Sequence, residues 1–250
     1  MAFRQLDSNI YCIGSIDWDR RLFDELIPLP DGTSYNSYLV KNKDEAILID
    51  TVDPAKKEEF FQKLKEIKIK KISYIIAHHA EQDHSGCIKD VLIEYPGCRV
   101  ITNKKCKGLL IDELHLEEKD FYEIKDGEIF QFGEMKFKFI FAPWVHWPET
   151  FLTYLINEKI LFTCDFFGSH MATSELWARD DAYFYRAAKR YYAEIMMPFR
   201  KQIKGHLKKL DNVSIKIIAP SHGPVYKDPD FILNAYRDWV SEKVKNKVII

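Results

Sequence analysis

The chain has 250 residues, 46% of them hydrophobic and 30% charged, and a net charge of -1. That length and balance suit one globular α/β domain with its own core, and near-neutrality gives no electrostatic reason to bind nucleic acid or an anionic membrane. No apolar run approaches the roughly 18 residues of a membrane-spanning helix, and residues 1–10 hold no signal-peptide stretch.

Five cysteines without a Cys-x-x-Cys pair read as reduced thiols of a cytoplasmic protein. Strands come first in the chain, at Ile10–Ile13, Ser37–Val40 and Ala46–Asp50. A helix follows over Pro54–Ile67. Proline suits a first helical turn, and Phe60, Phe61, Leu64 and Ile67 form the apolar face. The run Ile72–Ala77 reads as a buried strand. After it come a helix around Cys87–Glu94 and short strands near Arg99–Ile101 and Phe137–Phe141. Thr153–Ile156 and Ile160–Thr163 pair as a hairpin about Asn157, Glu158 and Lys159. Asp181–Leu210 carries one long helical pattern, with a break expected near Pro198. A strand at Ile215–Ala219 and a helix at Pro229–Val240 complete a single domain over residues 1–250. Mixed strands and helices predict a layered α/β sandwich, not a helix bundle.

The chemistry collects at strand ends. His79-Ala80-Glu81-Gln82-Asp83-His84 directly follows the Ile72 strand, where open α/β sheets place their sites. An acidic loop with histidines needs no metal by itself. The arrangement recurs three times, however: His146 follows Phe137–Ala142, Asp165 follows Ile160–Cys164, and His222 follows Ile215–Ala219. His79, Glu81, Asp83, His84, His146, Asp165 and His222 on one rim suit two metal ions sharing a carboxylate. Cys164, beside Asp165, reads as a small buried strand residue.

The pattern His79-x-Glu81-x-Asp83-His84, then His146, Asp165 and His222, resembles the diiron domain of the flavodiiron proteins, within the metallo-β-lactamase fold. The segments Ile16–Asp19, Thr33–Tyr38, Ile49–Val52, Phe167–His170 and Ala219–Pro224 are similar as well, so the likeness covers nearly the whole chain. It implies an α/β (α+β) four-layer αβ/βα sandwich, a homodimer, and two non-haem irons joined by an oxo, hydroxo or peroxo bridge. One iron would sit on His79, Glu81 and His146, the other on Asp83, His84 and His222, with Asp165 spanning both. In some members the counterpart of His84 is swung away from the metal. Hydrolytic relatives carry histidine where Glu81 stands, so this chain sets three carboxylates, not two, against the metals. A harder, more anionic donor set suits iron or manganese. Zinc would be inert in redox chemistry.

Around the ligands, Asp50 at a strand end is either a hydrogen-bond partner of a ligand loop or a turn aspartate. His170 either resembles a family histidine beside the irons or is a hydrogen-bonded loop histidine, and one of Tyr191 and Tyr192 resembles a family tyrosine there; Tyr192, Asp24 and His170 are taken as the candidate catalytic residues. Trp144, Trp147, Phe166, Phe167 and Trp177 either line an apolar gas pocket or are ordinary core and surface aromatics. Two departures stand out. Family members commonly read Phe-His-Gly-Tyr where this chain has Phe23-Asp24-Glu25-Leu26, so Asp24 replaces a pocket histidine. Full flavodiiron proteins also continue into a flavodoxin-like domain, whereas here only Lys247–Ile250 resembles its first strand, and no FMN site is expected.

Three functions follow. The chain is a reductase of dioxygen or nitric oxide fed by an external flavoprotein or rubredoxin-like donor, an oxygen-binding sensor with a chemotaxis-type signalling partner, or a dinuclear metallohydrolase using a metal hydroxide. Glu81 counts against the hydrolase, and the lack of a flavin domain favours sensing over fast turnover.

Overall fold

The computed structural model describes residues 3–242; the Lys247–Ile250 segment lies outside them. The first eight strands are Arg4–Asp7 (β1), Ile10–Cys12 (β2), Ser15–Asp17 (β3), Leu22–Phe23 (β4), Ile27–Pro28 (β5), Thr33–Tyr35 (β6), Tyr38–Asn42 (β7) and Glu45–Ile49 (β8). Helix Lys57–Ile67 (α1), strand Lys71–Ile76 (β9), helices Gln82–Ser85 (α2) and Ile88–Glu94 (α3), strand Arg99–Asn103 (β10) and helix Lys104–Leu114 (α4) follow. Next are Phe121–Ile124 (β11), Ile129–Phe132 (β12), Met135–Phe141 (β13), Phe151–Leu155 (β14) and Ile160–Cys164 (β15). Helices Ala182–Tyr191 (α5) and Arg200–Leu210 (α6), strand Ile217–Pro220 (β16) and helix Pro229–Trp239 (α7) close the order.

Alternation along the strands builds four layers. Seven strands pair in the order β1-β2-β7-β8-β9-β10-β11, and five in the order β12-β13-β14-β15-β16. One face of each sheet meets the other sheet: Val40, Ile47, Ile49 and Ile76 pack with Phe137, Phe139, Phe151 and Phe162. The opposite face of the first sheet, Leu39, Leu48 and Ile75, receives Phe60 and Leu64 of α1, Val91 of α3 and Leu110 of α4. The outer face of the second sheet, Ile140, Leu152 and Leu161, receives Ala188, Ile203, Leu207 and Tyr236 from α5, α6 and α7. Neighbouring residues on a strand point to opposite faces, so Leu48 and Ile49, or Leu161 and Phe162, serve different layers. This is the expected αβ/βα sandwich.

Topology then gathers the strand ends. β14 runs antiparallel to both β13 and β15, and β15 runs parallel to β16. β13, β15 and β16 therefore finish at one edge. β9, parallel to β8 and β10, brings its end there from the other sheet, and the Phe151 N–H donates to the His78 carbonyl across the gap.

Most predicted elements stand where the sequence puts them. Asp53 caps the turn that leads into α1, and Lys68 ends α1 in the left-handed conformation. The Asp181–Leu210 pattern breaks as proline requires: a π-turn at Tyr192–Met196 and a 3-10 turn at Met197–Phe199 separate α5 from α6. Helix α4 is an addition. Its start is capped by Asn103, which accepts from the N–H groups of Lys105 and Cys106, but only Cys106 and Leu110 are buried. Gly108 interrupts the apolar pattern, so no long stripe marks the helix in the sequence. Among the described residues no helix is long and apolar enough to cross a membrane.

Phe139 sits fully buried between the sheets, with its ring edge-on to Phe151 at 5.8 Å. Phe139→Ala should lower unfolding free energy by about 3–5 kcal/mol, the usual loss for a core phenylalanine. Urea titration followed by circular dichroism measures it; a loss under about 1 kcal/mol would mean the two sheets are not held by this interface.

Candidate metal centre

Each strand end delivers one part of the site. The loop after β9 carries His79 and Glu81, and the short α2 turn adds Asp83 and His84. The loop after β13 brings His146, the residue after β15 is Asp165, and His222 lies two residues beyond β16. All seven converge, and all but His146 are buried.

Asp165 lies at the middle and its two oxygens face different groups. Oδ2 lies 2.7 Å from His79 Nε2 and 3.3 Å from His146 Nε2, and Glu81 Oε2 stands 3.2 Å from the same His146 nitrogen. Oδ1 lies 3.1 Å from both His84 Nε2 and His222 Nε2. Asp83 closes that side, 3.2 Å from His84 and 3.3 Å from His222. Around an ion with bonds of about 2.1 Å, neighbouring ligand atoms sit about 3.0–3.4 Å apart. Most of these spacings fall in that interval. Several of the atoms also lack any hydrogen bond despite complete burial: Glu81 Oε2, both Asp83 oxygens, both His84 nitrogens and Asp165 Oδ1. Buried polar atoms are nearly always paired, so orphans clustered at ligand spacing fit cations and not one another.

Without metal, protons carry the positive charge. Burial alone pushes the His79 and His146 imidazoles down, but the Asp165 and Glu81 carboxylates outweigh it and hold them up, at about 9 and about 10. Burial likewise raises Asp83, yet the charge on His84 and the facing His222 imidazole hold its carboxyl down at about 2. Asp165 is also held well below the usual carboxylate range against its burial, by His84 and His79 first.

The supporting groups fix the loops. Asp50, left open by the sequence as a loop partner or a turn residue, grips His78: its oxygens accept the His78 backbone N–H at 2.9 Å and Nδ1–H at 2.6 Å. His78 Nε2 meets Thr153 at 2.9 Å. Asp50, His78 and Cys164 also come within ligand distance of one another, but these hydrogen bonds already occupy Asp50 and His78. The backbone and hydroxyl of Thr51 both donate to the His84 carbonyl. His222 Nδ1 donates to the Ser34 carbonyl at 2.7 Å, leaving Nε2 facing the cluster. Asn36 donates to the Pro220 and Gly223 carbonyls, clasping the loop that holds His222. Gly223 has φ +77°, and a Cβ there would lie 2.1 Å from Ser169 Oγ, so no other residue type fits. Glu149 accepts the Ala80 N–H at 3.2 Å. The sequence did not mark His78 or Glu149, and it marked Thr51 only as part of the Ile49–Val52 likeness. For His78 the signal was the doublet itself, since successive residues of an extended segment face opposite ways.

The outer candidates divide. His170 is at the site, its ring 4.8 Å from His222 and from Phe23 and 4.9 Å from Tyr191, with Nδ1 2.9 Å from the Thr33 hydroxyl. Burial and the neighbouring His222 charge keep it neutral, well below the usual range. Tyr192 points elsewhere: its hydroxyl meets the Trp239 carbonyl and its ring packs on Tyr236 and Trp239. Tyr191 is the tyrosine beside His170 and His222. Asp24 sits in the turn of the β4–β5 hairpin at φ 49°, exposed as a residue, and the partial burial of its carboxyl together with the Glu81 and Asp83 charges raises it. Of the tryptophans only Trp147 covers the cluster, stacked at 6.0 Å on His79. Trp144 is 46% exposed against Phe199, and Trp177, half-buried, packs against the inter-sheet core under Lys227. Phe166 and Phe167 are fully buried behind Asp165.

Comparison with known proteins places this geometry. The family model described as ODP family beta lactamase matches residues 33–223. The nitric oxide reductase of Moorella thermoacetica is 36% identical across 98% of this chain and 63% of its own length. The coenzyme F420H(2) oxidase of Methanothermobacter marburgensis is 31% identical across 100% of this chain and 64% of its own. A crystal structure of the flavodiiron protein from Giardia intestinalis superposes with a TM-score of 0.90 at 30% identity, covering 95% of this chain and 59% of that one. The chain thus spans about two-thirds or less of these relatives' length.

The raised histidines have a consequence for the metal-free protein. An imidazole whose folded pKa exceeds its ordinary value near 6.5 stabilises the fold below that value, and the stabilisation is lost as pH rises through the folded pKa. Metal-stripped protein should therefore melt at progressively lower temperature from about pH 7 to about pH 10, through the values of His79 and His146. Metal-loaded protein should stay level over that window, because metal replaces the protons. Calorimetry across the range measures both curves, and a level curve for the stripped protein would refute this proton-for-metal exchange.

Proposed function

The chain belongs to the ODP family of β-lactamase-like proteins, as a flavodiiron core of metallo-β-lactamase fold, and from that premise we propose that it is a non-haem diiron protein that reduces dioxygen or nitric oxide with electrons from a separate donor. The observation that carries the reading is Asp165, with one oxygen turned to His79 and His146 and the other to His84 and His222. His79, Glu81 and His146 would hold one iron, and Asp83, His84 and His222 the other, with Asp165 shared. Three carboxylates among seven donors suit iron over zinc. When bound, the pair would supply one electron from each iron to the gas substrate. The relatives named for nitric oxide reduction and as flavodiiron proteins support this class of reaction.

The chain's own groups supply the setting. Phe23, Tyr191 and Trp147 pack around His170, His222 and His79 and keep water from the imidazoles. His170 Nδ1 lies 2.9 Å from the Thr33 hydroxyl, which also reaches the Ser34 carbonyl, and Nε2 has no partner among the described residues. In the tautomer that carries the ring proton on Nε2, that proton would be available to a bound gas. Asp24, with its raised carboxyl, keeps a second proton at the mouth to higher pH than a free aspartate does. An acidic proton source thus stands where relatives carry histidine. Electrons would come from a flavoprotein or rubredoxin-like partner.

Anaerobically purified protein should contain about two irons per chain by plasma emission analysis. Asp165→Ala should retain less than one, because two cations would then lie close together without a shared anion. Glu81→His should keep two metals but turn the preference toward zinc. Stoichiometric zinc in the wild type, with no uptake of iron on reconstitution, would support the hydrolase instead.

Dioxygen turnover gives a second test. Two ferrous ions hold two electrons and reduction to water takes four, so the reduced protein alone should react once and stop. Stopped-flow mixing with dioxygen should show one fast phase, and steady consumption only after an electron donor protein is added. Many turnovers with NADH alone would overturn the need for a donor. A protein that stalls with every donor would point to sensing.

A further inference from the structure

Close to Asp165 in sequence a row of aromatic side chains starts, and it runs from the buried interior to the surface. Phe167, two residues on, stacks with Phe166 at 3.8 Å and meets Tyr236 at 4.8 Å. Tyr236 meets Trp239 at 5.0 Å, and Trp239 meets Tyr185 at 5.6 Å while donating its indole N–H to the Tyr185 hydroxyl at 3.1 Å. Tyr236 is completely buried, whereas Trp239 and Tyr185 are half-buried and reach solvent. Tyr236 and Trp239 are three positions apart on α7, a spacing that ordinary packing also produces. Packing does not explain the phenol. The Tyr236 hydroxyl has no well-formed hydrogen bond among the described residues, with the Phe167 backbone the polar group near it. A buried hydroxyl without a well-formed partner destabilises the fold, and phenylalanine would avoid it.

Tyrosine and tryptophan are the side chains most readily oxidised by one electron, and rings in contact pass an electron between them. We propose that Phe167, Tyr236, Trp239 and Tyr185 form an escape route that carries single oxidising equivalents from the metal centre to the surface when no electron donor is bound. The proposal rests on the iron and dioxygen reading above. The oxidant is the dioxygen-oxidised centre, which gains one electron from Trp239 across the Tyr236 and Phe167 rings. Tyr236 itself has no base to take its proton, so the missing electron does not rest there. Trp239 recovers an electron from Tyr185, whose phenolic proton passes to water. A thiol-class reductant in solution then returns one electron, and Tyr185 regains its proton. Side chains beside the metals are thereby spared.

Iron-loaded, reduced protein is given repeated dioxygen pulses without donor and then mapped by peptide mass spectrometry, with freeze-quenched samples examined by electron paramagnetic resonance. Added oxygen should concentrate on Trp239 and Tyr185, with an aromatic radical in the spectrum. Trp239→Phe should cut modification of Tyr185 at least tenfold and move damage to Tyr191 and the histidines. Tyr185→Phe, a milder change, should raise oxidation of Trp239. Equal modification in zinc-loaded protein, damage confined to the centre in the wild type, or unchanged Tyr185 labelling in Trp239→Phe would each overturn the route. If the iron protein consumes no dioxygen, it is the reductase reading that fails; hydrogen peroxide then supplies the oxidising equivalents, and the same wild-type and Trp239→Phe maps decide. A protein that takes up no iron overturns both.

Discussion

Three carboxylates buried within hydrogen-bonding distance of shared partners are the constraint on which this molecule turns. Like charges about 4 Å apart repel by about 4 kcal/mol at an effective dielectric of 20, and a whole domain is stable by only about 5–15 kcal/mol. Glu81, Asp83 and Asp165 therefore cannot sit together uncompensated. Four imidazoles answer them, two on each side of Asp165, and either protons or metal ions must complete the neutralisation. The raised histidines and lowered aspartates of the metal-free chain record that demand.

Meeting it takes loops that cannot drift. Non-glycine residues hold the left-handed conformation at several strand ends around the rim: Asp50 at φ 52°, Trp144 at 66°, Cys164 at 52° and Phe167 at 70°. Each such residue costs about 1–3 kcal/mol and persists only where its surroundings over-determine it. The determinants are visible. The Asp50 grip on His78, Thr51 on the His84 carbonyl, and Asn36 on the Pro220 and Gly223 carbonyls tie the ligand loops to the first sheet's own strand ends. Strain is stored where the ligands are aimed, and the interleaved phenylalanines between the sheets supply the stability that offsets it.

What the sequence disclosed follows the same physics. The seven-residue constellation was legible because each member trails a strand-like apolar run, and a strand's end is a position that sequence can mark. The break in Asp181–Leu210 was legible because Pro198 lacks an N–H. Helix α4 was not, since Gly108 and a thin apolar stripe hide its period. The choice between Tyr191 and Tyr192 was beyond the pattern as well. The two are adjacent at the junction of α5 with a π-turn, about 100° apart around the helix axis, and only packing shows which meets His170. Aromatic identity likewise says nothing about facing, so Trp147 lies on the cluster while Trp177 packs against the core.

Asp24 shows how the centre's charge reaches residues that do not touch it. In the metal-free chain its carboxyl is raised by burial and then by Glu81 and Asp83, two of the carboxylates that make the site. A pair of divalent ions would reverse the sign of that field, since bound metal is the largest local charge wherever it sits. Asp24 would then move toward ionisation as the site fills and back toward the protonated form as it empties. A histidine at the same position would respond in the same direction but lose positive charge, not gain negative charge, on doing so. The substitution therefore changes the charge of the mouth in both states by one unit while leaving its coupling to the metals intact. The left-handed backbone of Asp24 and Glu25, at φ 49° and 55°, turns the hairpin that carries this group, and Phe23 anchors that hairpin against His170 and His222. The Asp24 carboxyl is in this way tied to the ligand shell by one aromatic contact and one field.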